Sequence, residues 1–264
     1  METYVGTCGW WYDYWHSGRF YPDDLKKYKR LDFYAKQLRA VEVNSTFYDF
    51  PPDNRVIGWH DRTPDDFKFV LKIPRLISHA RVGESMVIEN FDKFANVAKN
   101  LSTKFGGALL QLPPTRARDF GWLKVILDEL IKRKVTPIAL EFRNPTWFEI
   151  TDDILADYYG KVIIVSAFWH DKKWEYPALD EMIYLRFHGT EDFARGFYSE
   201  HELSKIISNL PEDTMKMYVF FNNDYEGQAP HDAILFNKVL VNEKIIPAQI
   251  EPSSVDKIIQ DAVG

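Results

Sequence analysis

The chain has one cysteine, Cys8, so it can form no intrachain disulfide and no zinc cluster built on several thiolates. A reducing, cytoplasmic setting is the expectation. No apolar run approaches the ~20 residues needed to cross a bilayer, and the opening METYVGTCGW has neither a basic n-region nor an apolar h-region, so no membrane contact is expected. Positive charge is not in excess. With 33 Lys and Arg against 39 Asp and Glu the net charge is −6, which disfavours a broad face for nucleic acid. GxGxxG, Walker and HExxH patterns are missing, which removes the dinucleotide, P-loop and zinc-protease readings. No low-complexity stretch or linker divides the 264 residues, so one domain over 1–264 is expected.

Aromatics are plentiful at 16%, and several gather in a loop rather than at periodic core positions. The run Trp10, Trp11, Tyr12, Tyr14, Trp15 either lines a ligand pocket or caps the core beneath it. Capping is expected for most of them, with Trp10 offered to a ligand.

Short β-rich runs alternate with amphipathic stretches, the pattern of parallel strands joined by crossover helices. The strand candidates are TYVGTCG from Thr3, AVEVNSTFY from Ala40, FKFVLKI from Phe67, GALLQL from Gly107, PIALEFR from Pro137, KVIIVSA from Lys161, MIYLRFHG from Met182 and KMYVFFNN from Lys216. Between them apolar residues recur at helical spacing, as in Leu31, Tyr34, Ala35 and Leu38, or Leu123, Ile126, Leu127 and Leu130. Ser199 and Glu202 have capping-box spacing. Eight strands in about 250 residues predict an α/β fold of the (β/α)8 TIM-type barrel class. Irregular βα connections are expected after the first strand and from Phe168 to Glu181.

Side chains alternate faces along a strand, so parity sorts the charges. Val41 and Val43 face the helices while Glu42 and Asn44 face inward; Glu141 and Arg143, Arg186 and His188, Lys72, Gln111 and Asn222 obey the same rule. A buried charge costs several kcal/mol unless well paired, and apolar layers fill a barrel at less cost. Polar groups confined to strand ends therefore predict a site at the carboxyl-terminal mouth, where barrel enzymes keep their chemistry. Cys8 reads as packing, and His79 as a loop residue or a second acid/base.

These motifs together resemble the YecE-like family, the domain of unknown function 72. The resemblance runs through GTCGWWYDYW, FYP at Phe20, VEVNSTFY, FKFVLKIP with ISH, GGALLQLPP, ALEFRNPTW, LRFHG and FNND, nearly the whole chain. It implies a barrel similar to barrel enzymes and supplies no reaction. Two positions depart from the family pattern: Asn144 stands where relatives tend to carry His, and Asp232 where they tend to carry Asn.

The leading functional expectation is a hydrolase or lyase-type enzyme acting on a small phosphate- or carboxylate-bearing substrate. Glu42, Glu141, His188 and Lys72 would be catalytic; Arg143, Arg186, Asn44, Gln111, Asn222 and Trp10 would bind substrate. Two glutamates against Lys72, Arg143 and Arg186 leave these strand ends formally +1. No cofactor is expected, because the three cations already compensate the carboxylates. The alternatives are a divalent-metal hydrolase or nuclease using Glu42, Glu141 and His188, with Asn44 or Asn222, as ligands, a glycosidase using the two glutamates, and a non-catalytic module binding nucleic acid or protein through the aromatic loop.

Overall fold

Gly6 shows how the first two strands can lie side by side, because a Cβ there would stand 1.9 Å from the Ala40 carbonyl oxygen of its register partner. In the computed structural model, residues 1–80, 85–148, 155–169, 173–174, 181–192 and 194–246 are described, with only the backbone of 85–87, 173 and 174. The strands are β1 (Glu2–Thr7), β2 (Ala40–Val43), β3 (Lys68–Lys72), β4 (Phe105–Gln111), β5 (Ile138–Glu141), β6 (Val162–Phe168), β7 (Lys173–Trp174), β8 (Met182–Phe187) and β9 (Lys216–Phe221). Successive strands from β1 to β6 are neighbours, β6 adjoins β8, β8 adjoins β9, and β9 returns to β1. Eight parallel strands thus close on themselves as a (β/α)8 barrel. All eight expected runs become its staves.

The helices are α1 (Arg30–Gln37), α2 (Asp53–Asp61), α3 (Arg75–Ser78), α4 (Ser85–Asn100), α5 (Phe120–Lys132), α6 (Glu200–Ile207) and α7 (Gln228–Asn242). Their apolar stripes are buried as the spacing requires: Leu31, Tyr34 and Ala35 on α1, and Leu123, Ile126, Leu127 and Leu130 on α5. Ser199 caps α6 through the Glu202 amide, and the Glu202 carboxylate accepts from the Ser199 amide at 2.9 Å, completing the capping box. An extra residue in β4 shifts its register against β3 between Phe69 and Val70, at Gly107, whose φ of +138° favours glycine.

Two local expectations change. The run from Ala40 does not continue to Tyr48: β2 stops at Val43 and Asn44–Phe47 form a 3-10 turn. Thr46 causes the stop, its hydroxyl bonding the carbonyls of Val43 at 2.8 Å and Lys72 at 2.7 Å in place of ladder pairing. Asn44 therefore stands in the turn beyond β2 rather than in its pleat. Likewise β5 ends at Glu141, and Arg143 lies just past it. In the segment from Phe168 to Glu181 the two-residue β7 pairs antiparallel with β6; residues 170–172 and 175–180 of that expected excursion lie outside the described residues.

Internal contacts divide the chain into two compact units. One comprises Met1–Val41, Ser166–Glu175 and the chain from Leu185 onward; the other comprises Glu42–Val165 and Tyr176–Tyr184. The core of the first is built on Val5, Tyr34, Phe187, Val219 and Phe236, with Trp15, Phe20 and Tyr21 folded under the loop after β1. The core of the second is built on Phe69, Leu71, Phe94, Leu110, Leu127, Leu140 and Ile164. No described helix is long and apolar enough to cross a membrane.

Candidate active site

Strands β3, β4 and β5 each end in a polar or charged side chain and β2 carries Glu42 one residue before its end; all of these belong to the second unit. Glu42 is 0% exposed and its Oε2 accepts the Tyr184 hydroxyl at 2.8 Å. Lys72, the last residue of β3, donates its ammonium to Gln111 Oε1 at 3.0 Å and stands 4.7 Å from the centre of the Phe47 ring. Gln111 ends β4 and is the register partner of Glu141, which ends β5. Glu141 is 1% exposed, and its Oε1 accepts Arg143 Nε at 2.7 Å, with the arginine side chain 19% exposed. Lysine, glutamine, glutamate and arginine thus follow one another across three adjacent strand ends. Of the five charged candidates, this unit holds both glutamates, Lys72 and Arg143. Asn44 opens the turn after β2 and is half-buried.

The remaining expected residues lie in the first unit. Arg186 on β8 is buried and donates Nη2 to the Cys8 sulfur at 3.6 Å, so Cys8 is a buried contact of the arginine. His188 just past β8 stacks on Trp169 with ring centres 3.8 Å apart and planes within 6°. Its Nδ1 lies 3.2 Å from Asn222 Nδ2, an arrangement in which the amide donates and the imidazole accepts, placing the ring proton on Nε2. Trp10 is buried, and its carbonyl accepts the Tyr21 hydroxyl. The aromatics of that loop offered to solvent are Trp11 and Tyr14. The loop packs Trp15 and Tyr21 beneath it and turns their neighbours outward, which strand parity does not govern.

Several residues that matter were not singled out by sequence. Tyr184 precedes Arg186 and His188 by two and four positions, so parity already contained it. Asp224 also shares the parity of Asn222; it accepts the Tyr14 hydroxyl, and Trp15 Nε1 at 2.8 Å. Burial pushes its carboxyl up to about 7, against the opposing pull of those two hydrogen bonds. Trp169 carried no signal, since stacking on a histidine is a tertiary event. His79 sits at the end of α3 with Nδ1 2.9 Å from the Ser78 hydroxyl; burial lowers its pKa, and Arg75, Arg116 and Lys72 lower it further.

The two departures from the family pattern have local duties. Asn144 caps the short turn Pro145–Trp147, its Oδ1 accepting the Thr146 amide at 3.0 Å. Asp232 is fully buried and accepts from Asn223 Nδ2 at 2.7 Å and from the Tyr198 amide at 3.1 Å, with burial raising its pKa. Among the described residues, no three His, Cys, Asp or Glu side chains gather as a metal site.

Comparison with known proteins gives concordant results. The family profile described as "Protein of unknown function DUF72" matches residues 4–254. YunF of Bacillus subtilis is 24% identical over 273 residues, which covers 86% of this chain and 90% of YunF. YecE of Escherichia coli K12 is 36% identical over 122 residues, or 45% of this chain and 43% of YecE. A crystal structure of a DUF72 family protein from Thermotoga maritima superposes with a TM-score of 0.76 at 26% identity, covering 91% of this chain and 99% of that one.

Proposed function

Because the chain belongs to the DUF72 family, whose description assigns no reaction, we propose from its geometry that it is an enzyme performing acid/base chemistry at the carboxyl ends of β2 to β5. The substrate is a small molecule bearing a phosphate or carboxylate group, and the reaction is hydrolytic or eliminative. The observation that carries this reading is a pair of buried glutamates at strand ends, each accepting a hydrogen bond from a side chain that can orient it. Glu42 meets a neutral phenol, Tyr184; Glu141 meets a guanidinium, Arg143.

Environment separates the roles of two carboxyl groups on one site. Glu141 accepts a charge-assisted hydrogen bond from Arg143 and holds that guanidinium in place, which suits a positioning role. Glu42 shares a hydrogen bond with a group that can itself give or take a proton, which suits general acid/base work. Lys72, steered by Gln111, supplies a point charge for an anionic substrate group beside them. Such an assembly costs more to bury than the branched apolar layers that fill a barrel elsewhere, which favours chemistry over packing. In the other unit His188, oriented by Asn222 and Trp169, is a second candidate acid/base with Nε2 carrying the proton.

The test is turnover. Purified protein is incubated with pools of small phosphorylated and carboxylated metabolites and followed by mass spectrometry. The wild type should consume at least one compound, and Glu42→Gln should lower that rate by about 10²–10⁴-fold with its melting temperature preserved. Equal rates in wild type and Glu42→Gln would reject Glu42 as the acid/base.

A further inference from the structure

The loops after β3 and β4 carry a basic cluster that the acid/base chemistry does not use. One turn past Lys72, α3 presents Arg75, and the His79 amide closes that turn on the Arg75 carbonyl at 3.0 Å. Ser78 engages Nδ1 of His79, and among the described residues Nε2 of that ring has no hydrogen-bond partner. Arg116, from the loop after β4, lies 4.5 Å over the Trp122 ring and donates Nη2 to the carbonyl of Ala80, the residue after His79, at 3.3 Å. Trp122 Nε1 donates to the same carbonyl at 3.0 Å, which fixes the stack. Phe47 links this group to the strand ends: its ring is 5.7 Å edge-on from His79 and 4.7 Å from the Lys72 ammonium.

Charge is unbalanced here. Among the described residues no carboxylate pairs with Arg75, His79 or Arg116, although the whole chain carries −6. Burial lowers the proton affinity of the imidazole, and the three cations Arg75, Arg116 and Lys72 lower it further. An arriving anion reverses that balance. A monoanionic carboxylate would be neutralised by one guanidinium. A phosphate dianion has charge for both arginines and oxygens left for Nε2 of a histidine that would then take up a proton. The guanidinium of Arg116 is anchored over the Trp122 ring and by the Ala80 carbonyl, and its planar fork suits phosphate oxygens.

We infer that Arg75, His79 and Arg116 form a phosphate subsite, and that the substrate is a phosphomonoester whose remainder lies toward Lys72 and the ends of β3 to β5. This rests on the reading of those strand ends as the reactive centre and narrows its substrate class. It also moves the anion away from Arg143, whose Nε is committed to Glu141.

The experiment titrates the intact protein with inorganic phosphate, glycerol phosphate, acetate at equal ionic strength and a short single-stranded oligonucleotide. Melting temperature and the proton resonances of His79, assigned with His79→Gln, are the two readouts. Phosphate and glycerol phosphate should raise the melting temperature and shift the His79 titration to higher pH; acetate should do neither. Arg75→Ala and Arg116→Ala should each weaken phosphate about 10-fold or more, whereas exposed Lys132→Ala should not. Should Arg116→Ala fail to fold, Arg116→Lys and the wild-type His79 shift decide. Glu42→Gln should still bind phosphate, so a wrong assignment of the acid/base leaves this result intact. Phosphate binding indifferent to both arginines, acetate matching phosphate, or an oligonucleotide outcompeting glycerol phosphate would each overturn the subsite.

Discussion

Replacing Asp224 by asparagine removes a charge while keeping the means to bond Tyr14 and Trp15, since the amide oxygen can accept from the indole and the amide nitrogen can donate to the phenol. The folded protein holds this carboxyl at about 7, above its ordinary value of 3.8, because burial disfavours the anion more than its two donors favour it. The folded state therefore binds the proton more tightly than the unfolded one. Stability tied to Asp224 is full below pH ~4, is lost as pH rises through ~7, and is constant beyond. The span between the two values sets a ceiling of about 4 kcal/mol, and solvent at this half-buried position brings the expectation to roughly 2 kcal/mol. For a chain of this size that is roughly 5 °C in melting temperature. Asp224→Asn should match the wild type within a degree or two near pH 4 and melt higher by about that margin at pH 8. Differential scanning fluorimetry of both proteins across pH 4–8 measures it, because other titrating groups cancel in the difference. A difference independent of pH, or an advantage of the wild type that grows toward pH 8, would refute the argument that burial outweighs the two hydrogen bonds.

Gly6→Ala should cost about 4 kcal/mol or more and lower soluble yield, because its Cβ would meet the Ala40 carbonyl at 1.9 Å and neither strand can retreat; a chemical-denaturation curve unchanged from wild type would contradict that packing. Ser199→Ala should lose about 1 kcal/mol through the cap of α6, read as a lower denaturation midpoint with unchanged slope. The pairing of Glu141 with Arg143 and the cation at Lys72 lead us to expect activity without a tightly bound metal, so protein purified without chelator should contain no stoichiometric zinc, manganese or iron by elemental analysis, and chelator should leave turnover unchanged.

What consecutive residues determine was legible in advance. Periods of two and 3.6 are local properties, so the eight staves, the buried stripes of α1 and α5, and the Ser199 capping box follow from spacing alone. Parity also identified Glu42, Lys72, Gln111 and Glu141 as strand-end groups. Partnership belongs to the tertiary structure. Glu42 finds Tyr184 and Trp15 finds Asp224 across 142 and 209 residues, a matter of strand order and loop packing that no period encodes. Where β2 stops depended on Thr46 reaching the carbonyl of Lys72 on the neighbouring strand, a competitor to the ladder invisible until the two strands lie together. The loop after β1 was legible as aromatic, but which rings it buries depended on its packing over Tyr34 and against Asp224. The electrostatics divide in the same way. Side-chain identity sets which groups can carry charge, whereas burial and the opposing partner set how tightly Asp224 and His79 hold a proton.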